Sequence, residues 1–149
     1  MSATAPSPDQ RDRQNWMGIL ARSSEAELTS LWETYDEKTE YKCLREPEIG
    51  LVMVRGRAGG TGSRFNLGEM TVSRCSVSLD DGTIGHGYVR GRNRKHAEMI
   101  AVFDAHFQKT GAASFLNDLK AEQTAKANQK SSKAAATKVD FYTMVRGED

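Results

Sequence analysis

The sequence predicts an α+β fold: an antiparallel β-sheet meander with N-terminal helices and later helices packed on it, and a C-terminal strand. Three observations predict this class. Apolar residues recur at helical spacing up to residue 35, alternate at strand spacing between residues 41 and 90, and return to helical spacing after residue 93. Helices that precede and follow a run of strands are typical of α+β domains, in which the helices cover the sheet.

The first helix is predicted over residues 11–21, after a flexible polar tail at residues 1–10. Its apolar positions are Trp16, Ile19 and Leu20, whose helical spacing places them on one face. A chain of 149 residues is long enough to bury a core. We therefore predict that the residues after the tail, 11–149, form a single domain.

A second helix is predicted to begin at a capping box formed by Ser24 and Glu27. In this motif the serine oxygen accepts a hydrogen bond from the third helical amide, and the glutamate reaches back to the cap amide. An amphipathic stripe follows at positions i, i+3, i+4 and i+7, as in a helix with one face in a core. The stripe consists of Leu28, Leu31, Trp32 and Tyr35.

Two strands are predicted before the glycine-rich loop, over Tyr41–Arg45 and Ile49–Val54, with Pro47 between them. Proline cannot donate to a β-ladder and therefore favours a strand boundary. The second of these strands is apolar on both faces, which is typical of a covered central strand.

The strand after the loop carries apolar residues in two different phases. They are Met70 and Val72 in the first phase, then Cys75, Val77 and Leu79 in the second. A strand in unbroken register would turn one of these groups to the wrong face. We therefore predict a β-bulge near Ser73 and Arg74.

Asp81 and Gly82 form a two-residue hairpin signal. With these residues as the turn, three cross-strand pairs lie on one apolar face. Gly85 and Gly87 lie on the other face, where a neighbouring element can pack closely. The predicted pairs are Leu79 with Ile84, Val77 with His86, and Cys75 with Tyr88.

The last third of the chain is predicted to hold two helices and a strand. Asn93 caps a helix that runs to about Phe107 and is apolar nearly all round, as a buried helix would be. Another helix begins at Phe115, and the Lys/Ala-rich residues 120–138 are its end or a linker. Residues 139–146 alternate as a terminal strand, which docks on its own sheet or extends the sheet of another subunit.

Composition limits the possible partners. A net charge of +1 and a pI of about 7.8 provide no global basic field that would attract nucleic acid. The polar start lacks a signal-peptide core, and no apolar run is long enough to span a bilayer. Cys43 and Cys75 show no metal-site spacing. We expect a cytoplasmic protein with reduced thiols and with neither nucleic-acid nor membrane partners.

The glycine-rich loop between the predicted strands is the main candidate for anion binding. Glycines let backbone amides approach a ligand, and arginines offer donor forks suited to phosphate or phosphonate oxygens. No Walker A motif or Rossmann fingerprint fits, because no Gly-Lys-Ser/Thr follows and the next element is a strand. The loop is either a backbone nest for an oxyanion or a tight connection with solvated arginines. Its candidate phosphate- or partner-binding residues are Gly59, Gly60, Thr61, Gly62 and Arg64.

A second basic segment, RGRNRKHAE, places Arg90, Arg92, Arg94 and Lys95 at the start of a helix. Basic side chains oppose the helix dipole there, and a bound anion would relieve the repulsion. The alternative is a solvated or partner-facing turn. Arg90 and Arg92 are the candidate binding residues of this segment.

No catalytic residue is identified, and His86 is the single candidate. It is expected either to lie in the core with one nitrogen hydrogen-bonded or to act as a general acid near neutral pH. His96 and Glu98 lie two residues apart on a helix and point in different directions. No metal site is therefore predicted.

Several blocks of the sequence resemble the PhnG family, a subunit of the bacterial carbon–phosphorus lyase system. The blocks are RQNWMGILA, GGTGSRFNLGEMTVSRC, DGTIGHGYVRGRNRKHAE and VDFYTMVRGED. Together they extend from about Arg13 to Phe107 and from Val139 to Asp149, whereas residues 108–138 carry no matching pattern.

The resemblance implies membership of a cytosolic multi-subunit core with PhnH, PhnI and PhnJ. In that family the subunit is needed to make α-D-ribose 1-methylphosphonate 5-triphosphate from ATP and methylphosphonate, with release of adenine, and PhnL is also required. PhnJ later breaks the carbon–phosphorus bond by radical S-adenosylmethionine chemistry, and PhnI resembles the nucleosidase partner. ATP would thus be a substrate of the complex, and this chain alone would bind no cofactor.

The residues themselves favour a supporting subunit. Displacement of adenine needs an acid, relief of the triphosphate charge and exclusion of water. The chain offers arginines and glycine amides, but no clear carboxylate pair, nucleophile–base pair or metal cluster. We therefore expect a required subunit that is not catalytic by itself. The alternatives are a free-standing nucleotide- or phosphate-binding domain and a purely structural interaction protein whose arginines pair with acidic residues of a partner.

Overall fold

The computed structural model of the protein describes residues 8–112, 114 and 116–145, with side chains between residues 9 and 136 of these ranges. The chain divides into two compact units, Met1–Ala113 and Ser114–Asp149. The elements of the first unit are α1 (Pro8–Arg22), α2 (Glu25–Thr34), β1 (Tyr41–Arg57), β2 (Arg64–Leu79), β3 (Ile84–Arg90) and α3 (Arg94–Thr110). The second unit holds α4 (Leu116–Val145).

The three strands form an antiparallel meander in the order β1-β2-β3, so the predicted α+β class is confirmed. α3 packs on the sheet, and α1 and α2 pack on α3. Trp16 of α1 meets the ring of Phe107 edge-on at 5.9 Å, and Trp32 of α2 meets Phe103 in the same way at 5.6 Å. α3 is therefore buried between the sheet and the first two helices, as its apolar sequence predicts.

The helix starts follow the predicted capping chemistry. Ser24 Oγ accepts a hydrogen bond from the Glu27 amide at 3.1 Å, and the Ser24 amide donates to the Glu27 carboxylate at 2.7 Å. Asn93 caps α3, because its side-chain oxygen accepts from the His96 amide at 3.0 Å. α1 begins at Pro8, earlier than the sequence predicts, and residues 1–7 of the predicted tail lie outside the described residues.

The two strands predicted before the loop are a single strand, β1, so that prediction is wrong in its boundary at Pro47. The pairing of β1 with β2 shifts register between Cys43 and Arg45 and again between Arg45 and Glu48. β1 is an edge strand, and a proline at a bulge of an edge strand need not interrupt the sheet.

The β-bulge predicted near Ser73 and Arg74 is wrong in its strand. β1 and β2 shift register between Arg45 and Glu48, which pair with Ser76 and Arg74, and the extra residue belongs to β1. β2 pairs with β3 from Val72 to Ser78 without a register shift. Val72 is buried although it faces the opposite side of the sheet from Cys75. The change of apolar phase within β2 is therefore a change in which face carries apolar side chains, because β2 itself has no extra residue at this place.

The β2–β3 turn has three residues, Asp80 to Gly82, so the predicted two-residue turn is also wrong. The Leu79 amide donates to the Thr83 carbonyl at 2.9 Å, and Gly82 takes the left-handed conformation with φ of 87° that such a loop requires. The longer turn moves β3 by one residue. The observed pairs are Ser78 with Ile84, Val77 with Gly85, Ser76 with His86, Cys75 with Gly87 and Arg74 with Tyr88.

This one-residue slip exchanges the two faces of β3. Gly85 and Gly87 now lie on the α3 side of the sheet, where a Cβ at either position would collide with the backbone carbonyl of Ala101 or Ala97 respectively. The predicted close approach to these glycines is thus observed, and its partner is α3. His86 lies on the opposite, uncovered face and is exposed.

The terminal strand predicted for residues 139–146 is wrong as far as the structure describes it, because α4 continues to Val145. Residue 146 lies outside the described residues. Residues 116–145 contain no glycine or proline but six alanines and five lysines, which favour helix propagation over a short alternating pattern. In the described part of the chain, no helix is both long and apolar enough to cross a membrane.

Candidate functional site

The glycine-rich loop is the tip of a long hairpin formed by β1 and β2. A short 3₁₀ turn at Ala58–Gly60 closes the hairpin, with Gly59 and Gly60 in left-handed conformations at φ of 60° and 79°. The amides of Thr61 and Gly62 both donate to the carbonyl oxygen of Ala58. Two of the donors that an oxyanion nest would need are therefore already used within the turn.

The arginines of this loop lie together on one face of the hairpin. Arg57 and Arg64 are direct cross-strand partners, and Arg55 lies two residues from Arg57 on the same face. Among the described residues, no carboxylate lies within salt-bridge distance of these three guanidinium groups. Like charges directly opposite each other destabilise a strand pair, so this face is suited to an acidic or anionic partner.

The second basic segment lies elsewhere on the unit. Arg90 ends β3 opposite Val72, and Arg92 follows in the exposed turn before α3. Arg64 precedes Val72 by eight positions of extended strand, or about 25 Å. The structure therefore does not bring Arg64 together with Arg90 and Arg92 into one site.

His86 is exposed on the sheet face that α3 leaves uncovered, so it is not a core histidine. Its Nδ1 lies 2.8 Å from the hydroxyl of Ser76, its cross-strand partner. The neighbouring cross-strand pair is Arg74 and Tyr88, and Arg74 Nε donates to Glu48 at 2.6 Å. This exposed position does not exclude water from the imidazole.

A buried carboxylate that the sequence interpretation missed lies on the other side of the sheet. Asp104 of α3 is fully buried and accepts hydrogen bonds from Arg13 Nε at 3.1 Å, Arg13 Nη2 at 2.7 Å and Trp16 Nε1 at 2.9 Å. The backbone amide of His86 donates to the same carboxylate at 2.9 Å. The hydrogen bonds to Asp104 raise the pKa of Arg13. Because donors occupy both of its carboxylate oxygens, Asp104 has a structural role and joins α1, α3 and β3. In the sequence it could have been recognised as a charged residue inside the apolar run MIAVFDAHF.

A cavity of about 320 Å³ lies beside β1, lined mainly by residues of α2 and α3 that include Trp32, Met99 and Phe103. At its edge Tyr41 donates to the Glu98 carboxylate at 2.9 Å. Burial, followed by this hydrogen bond, raises the pKa of Tyr41 to about 12. The phenol is therefore neutral at physiological pH and acts as a donor that holds Glu98.

The two cysteines are on the same side of the sheet, and their thiols are protonated. Burial raises the pKa of Cys75 to about 12, and burial together with Glu98 raises the pKa of Cys43. A thiol in this state is a poor nucleophile. Within the part of the chain that the structure describes, no group of three or more His, Cys, Asp or Glu residues is placed to hold a metal ion.

Comparison with known proteins identifies a family and a relative to which the chain is similar. The profile of the family described as "Phosphonate metabolism protein PhnG" matches residues 11–147. A relative from Rhizobium meliloti (strain 1021) is 45% identical over 141 residues, which cover 92% of this chain and 90% of the relative. That relative is the "Alpha-D-ribose 1-methylphosphonate 5-triphosphate synthase subunit PhnG".

The chain belongs to the PhnG family.

This membership confirms the resemblance predicted from the sequence blocks and assigns the chain to phosphonate metabolism. The match to the PhnG family spans residues 108–138, where no family pattern was recognised, together with the first three blocks and the last block up to residue 147. It also spans both basic segments, but the roles of individual residues stay predictions. They are Gly59, Gly60, Thr61, Gly62 and Arg64 at the hairpin tip, Arg90 and Arg92 before α3, and His86 on the sheet.

Proposed function

We propose that the protein is a subunit of the complex that makes α-D-ribose 1-methylphosphonate 5-triphosphate from ATP and methylphosphonate during phosphonate catabolism. The observation that carries this proposal is the 45% identity to a subunit of that synthase over nearly the whole of both chains. The chain acts in the cytoplasm, beside partners that resemble PhnI, PhnH, PhnJ and PhnL. ATP is the substrate of the assembly, and this chain alone binds no cofactor.

Within the complex, the chain supports the site at which the reaction takes place. Displacement of adenine from a ribose carbon needs an acid, charge relief for the triphosphate and a site that excludes water. In the first unit the buried carboxylate of Asp104 is saturated, and the thiol of Cys75 is protonated and buried. The exposed arginines at the hairpin tip and before α3 are available to ligands. These groups are suited to neutralise charge on a neighbouring subunit or on a substrate held there.

Exposed apolar residues also support a role in an assembly. Leu51, Met53 and Leu67 are at least 60% exposed, although large apolar side chains are normally buried or scattered singly on a soluble monomer. All three lie on the β1–β2 hairpin, which implies a surface that another chain covers.

The test is reconstitution of the complex with and without this chain. A tagged copy is co-expressed with the other carbon–phosphorus lyase core subunits, and the purified assembly is weighed by native mass spectrometry. Release of adenine from ATP and methylphosphonate is then measured for the full set and for the set that lacks this chain.

A stoichiometric complex whose adenine release needs this chain supports the proposal. A stable monomer that captures no subunit, or a set that is fully active without the chain, contradicts it. Saturable ATP binding by such a monomer would support the alternative, a free-standing nucleotide-binding domain.

A further inference from the structure

The β1–β2 hairpin extends well beyond the three-stranded part of the sheet. β3 ends at Arg90, which pairs with Val72, and from there β1 and β2 pair only with each other. We call residues 51–71 the arm. Its strands run from the Leu51–Thr71 pair to the Arg57–Arg64 pair, about 20 Å of extended chain. A two-stranded ribbon without a third strand or a covering layer is marginally stable in water. We therefore expect another protein surface to pack on an arm of this length.

Both faces of the arm carry exposed apolar side chains. On one face Leu51 and Met53 are each 60% exposed. On the other face Phe65 is 46% exposed and Leu67 is 61% exposed. A Cβ built on Gly56 would lie 2.6 Å from Leu67 Cδ1, so the absence of a side chain at residue 56 makes room for Leu67. A cleft can bury both apolar faces of such a ribbon, whereas a flat surface can bury only one of them.

The charge of the arm is concentrated at its tip. Its charged residues are Arg55, Arg57, Arg64 and Glu69, so the arm carries 3 − 1 = +2. The whole chain has a net charge of +1, which leaves 1 − 2 = −1 for all other residues. Because Arg57 and Arg64 are direct cross-strand partners, burial of the tip requires carboxylates to face them.

We propose that the arm inserts into an apolar cleft of a different polypeptide of the assembly, and that acidic side chains of this cleft receive the arginines of the tip. The inference rests on the function proposed above, because the assembly supplies the partner.

Two other occupants fit the arm less well. A free oxyanion would neutralise the arginines but would leave four large apolar side chains in water. A second copy of the chain offers cavities beside Trp32, Trp16 and Leu79, but volumes of about 320, 410 and 370 Å³ each suit one small molecule rather than both faces of the arm. The remainder of a second copy also carries a net charge of only −1, which gives little electrostatic attraction.

The experiment uses three arm variants in the full chain, each co-expressed with the other core subunits. Leu51→Ser with Met53→Ser removes the apolar side chains of one face, and Phe65→Ser with Leu67→Ser removes those of the other. Arg57→Glu with Arg64→Glu reverses the charge at the tip. The controls are two variants of exposed residues outside the arm, Leu44→Ser and Arg11→Glu. Far-UV circular dichroism and the thermal midpoint from tryptophan fluorescence confirm that each variant is folded.

We expect the wild-type chain and both controls to capture partner subunits in equal amounts. Each arm variant should remain folded but should capture partner subunits in amounts lower by about tenfold or more. Removal of large side chains at the centre of an interface lowers the affinity by at least this factor. A photo-crosslinking amino acid at position 67 should form an adduct with a partner subunit, and the same group at position 44 should not. The crosslinked partner peptide should be rich in apolar residues and carry aspartate or glutamate.

Four outcomes would overturn the proposal. Folded arm variants that capture partners as well as the wild type would remove the arm from the interface, while the proposed function would stand. Failure of the wild type to capture any subunit would refute the proposed function and the arm proposal together. Arm-dependent dimers would identify a second copy as the occupant. Triphosphate binding by the isolated chain that is lost on reversal at Arg57 and Arg64, with partner capture intact, would identify an anion.

Discussion

The carboxylate of Asp104 lies fully buried against the guanidinium of Arg13, 91 residues earlier in the chain, and two hydrogen bonds of 3.1 and 2.7 Å join them. Trp16 and the backbone amide of His86 donate to the same group. One side chain of α3 thus binds α1 on one side and β3 on the other. The charge can remain in the core because donors surround both of its oxygens.

Replacement of Arg13 by alanine should destabilise the first unit by about 2 kcal/mol, since a buried carboxylate loses its charged partner while solvent already screens part of this pair. The measurement is urea unfolding followed by tryptophan fluorescence, because both tryptophans lie in α1 and α2. Arg11→Ala on the same helix is the matched control and should leave the free energy of unfolding unchanged. Equal stability of the two variants would contradict a structural role for the Arg13–Asp104 pair.

Gly87→Ala should lower the stability of the first unit by about 2 kcal/mol or more. A methyl group at residue 87 would collide with the Ala97 carbonyl oxygen, and backbone atoms of both α3 and β3 would have to move. Gly68→Ala is the control, because a Cβ at residue 68 would meet no atom within 4 Å. Thermal unfolding of both variants distinguishes close packing from a general effect of removing glycine from a strand. A Gly87→Ala variant as stable as Gly68→Ala would refute the observed β3 register.

Stability should fall as the pH is lowered below about 6.5, and His96 should cause part of this fall. Burial lowers the pKa of His96, and its buried Nε2 has no hydrogen-bond partner among the residues that the structure describes. A histidine with a depressed folded pKa binds fewer protons than the unfolded chain, so its contribution is complete above the unfolded pKa. That contribution is lost as the pH falls from about 6.5 toward the folded pKa.

The measurement is the urea midpoint between pH 8 and pH 5 for the wild type and for two variants. His96→Gln should flatten the decline, because the titrating group is gone. His86→Gln removes an imidazole from the exposed sheet face and leaves His96 in place, so the part of the decline that His96 causes should remain. A decline of equal steepness in all three proteins would assign the pH dependence to other groups.

The thiol of Cys75 should react with a disulfide reagent about a thousandfold more slowly in the native protein than in denaturant at pH 8. Its pKa of about 12 leaves far less thiolate than an ordinary cysteine would have. The released chromophore, measured over time in buffer and in guanidinium chloride, reports this difference. A Cys43→Ser variant isolates the signal of Cys75. Immediate reaction in buffer would show that the thiol is neither buried nor protonated.

Local chemistry was predictable where neighbours in sequence are also neighbours in space. The capping box at Ser24 and the cap at Asn93 were predicted correctly, because each depends on a few consecutive residues. The candidate binding residues were predicted from their residue types. The sequence could identify Arg64 and Arg90, but it could not predict how far apart they lie. Whether they share a site depends on strand lengths, and the structure separates them by about 25 Å.

The register of β3 against β2 was predicted wrongly because it is determined by residues outside these two strands. Turns of two and of three residues both accept Asp81 and Gly82, and the choice between them decides whether His86 or Gly85 faces α3. The close approach of Ala97 and Ala101 favours the register that places glycines beneath them. No pattern within β3 contains that information.

The sequence by itself determined the α+β class, the helix starts, the PhnG family and the presence of two basic segments, since these follow from local propensity and from long stretches of matching residues. The tertiary structure decided which residues meet. It paired Arg13 with Asp104, placed His86 on the uncovered face, continued α4 through the predicted strand, and extended the hairpin beyond β3. These outcomes depend on packing between distant parts of the chain and on helix propagation, and neither is encoded in the alternation of a few neighbouring side chains.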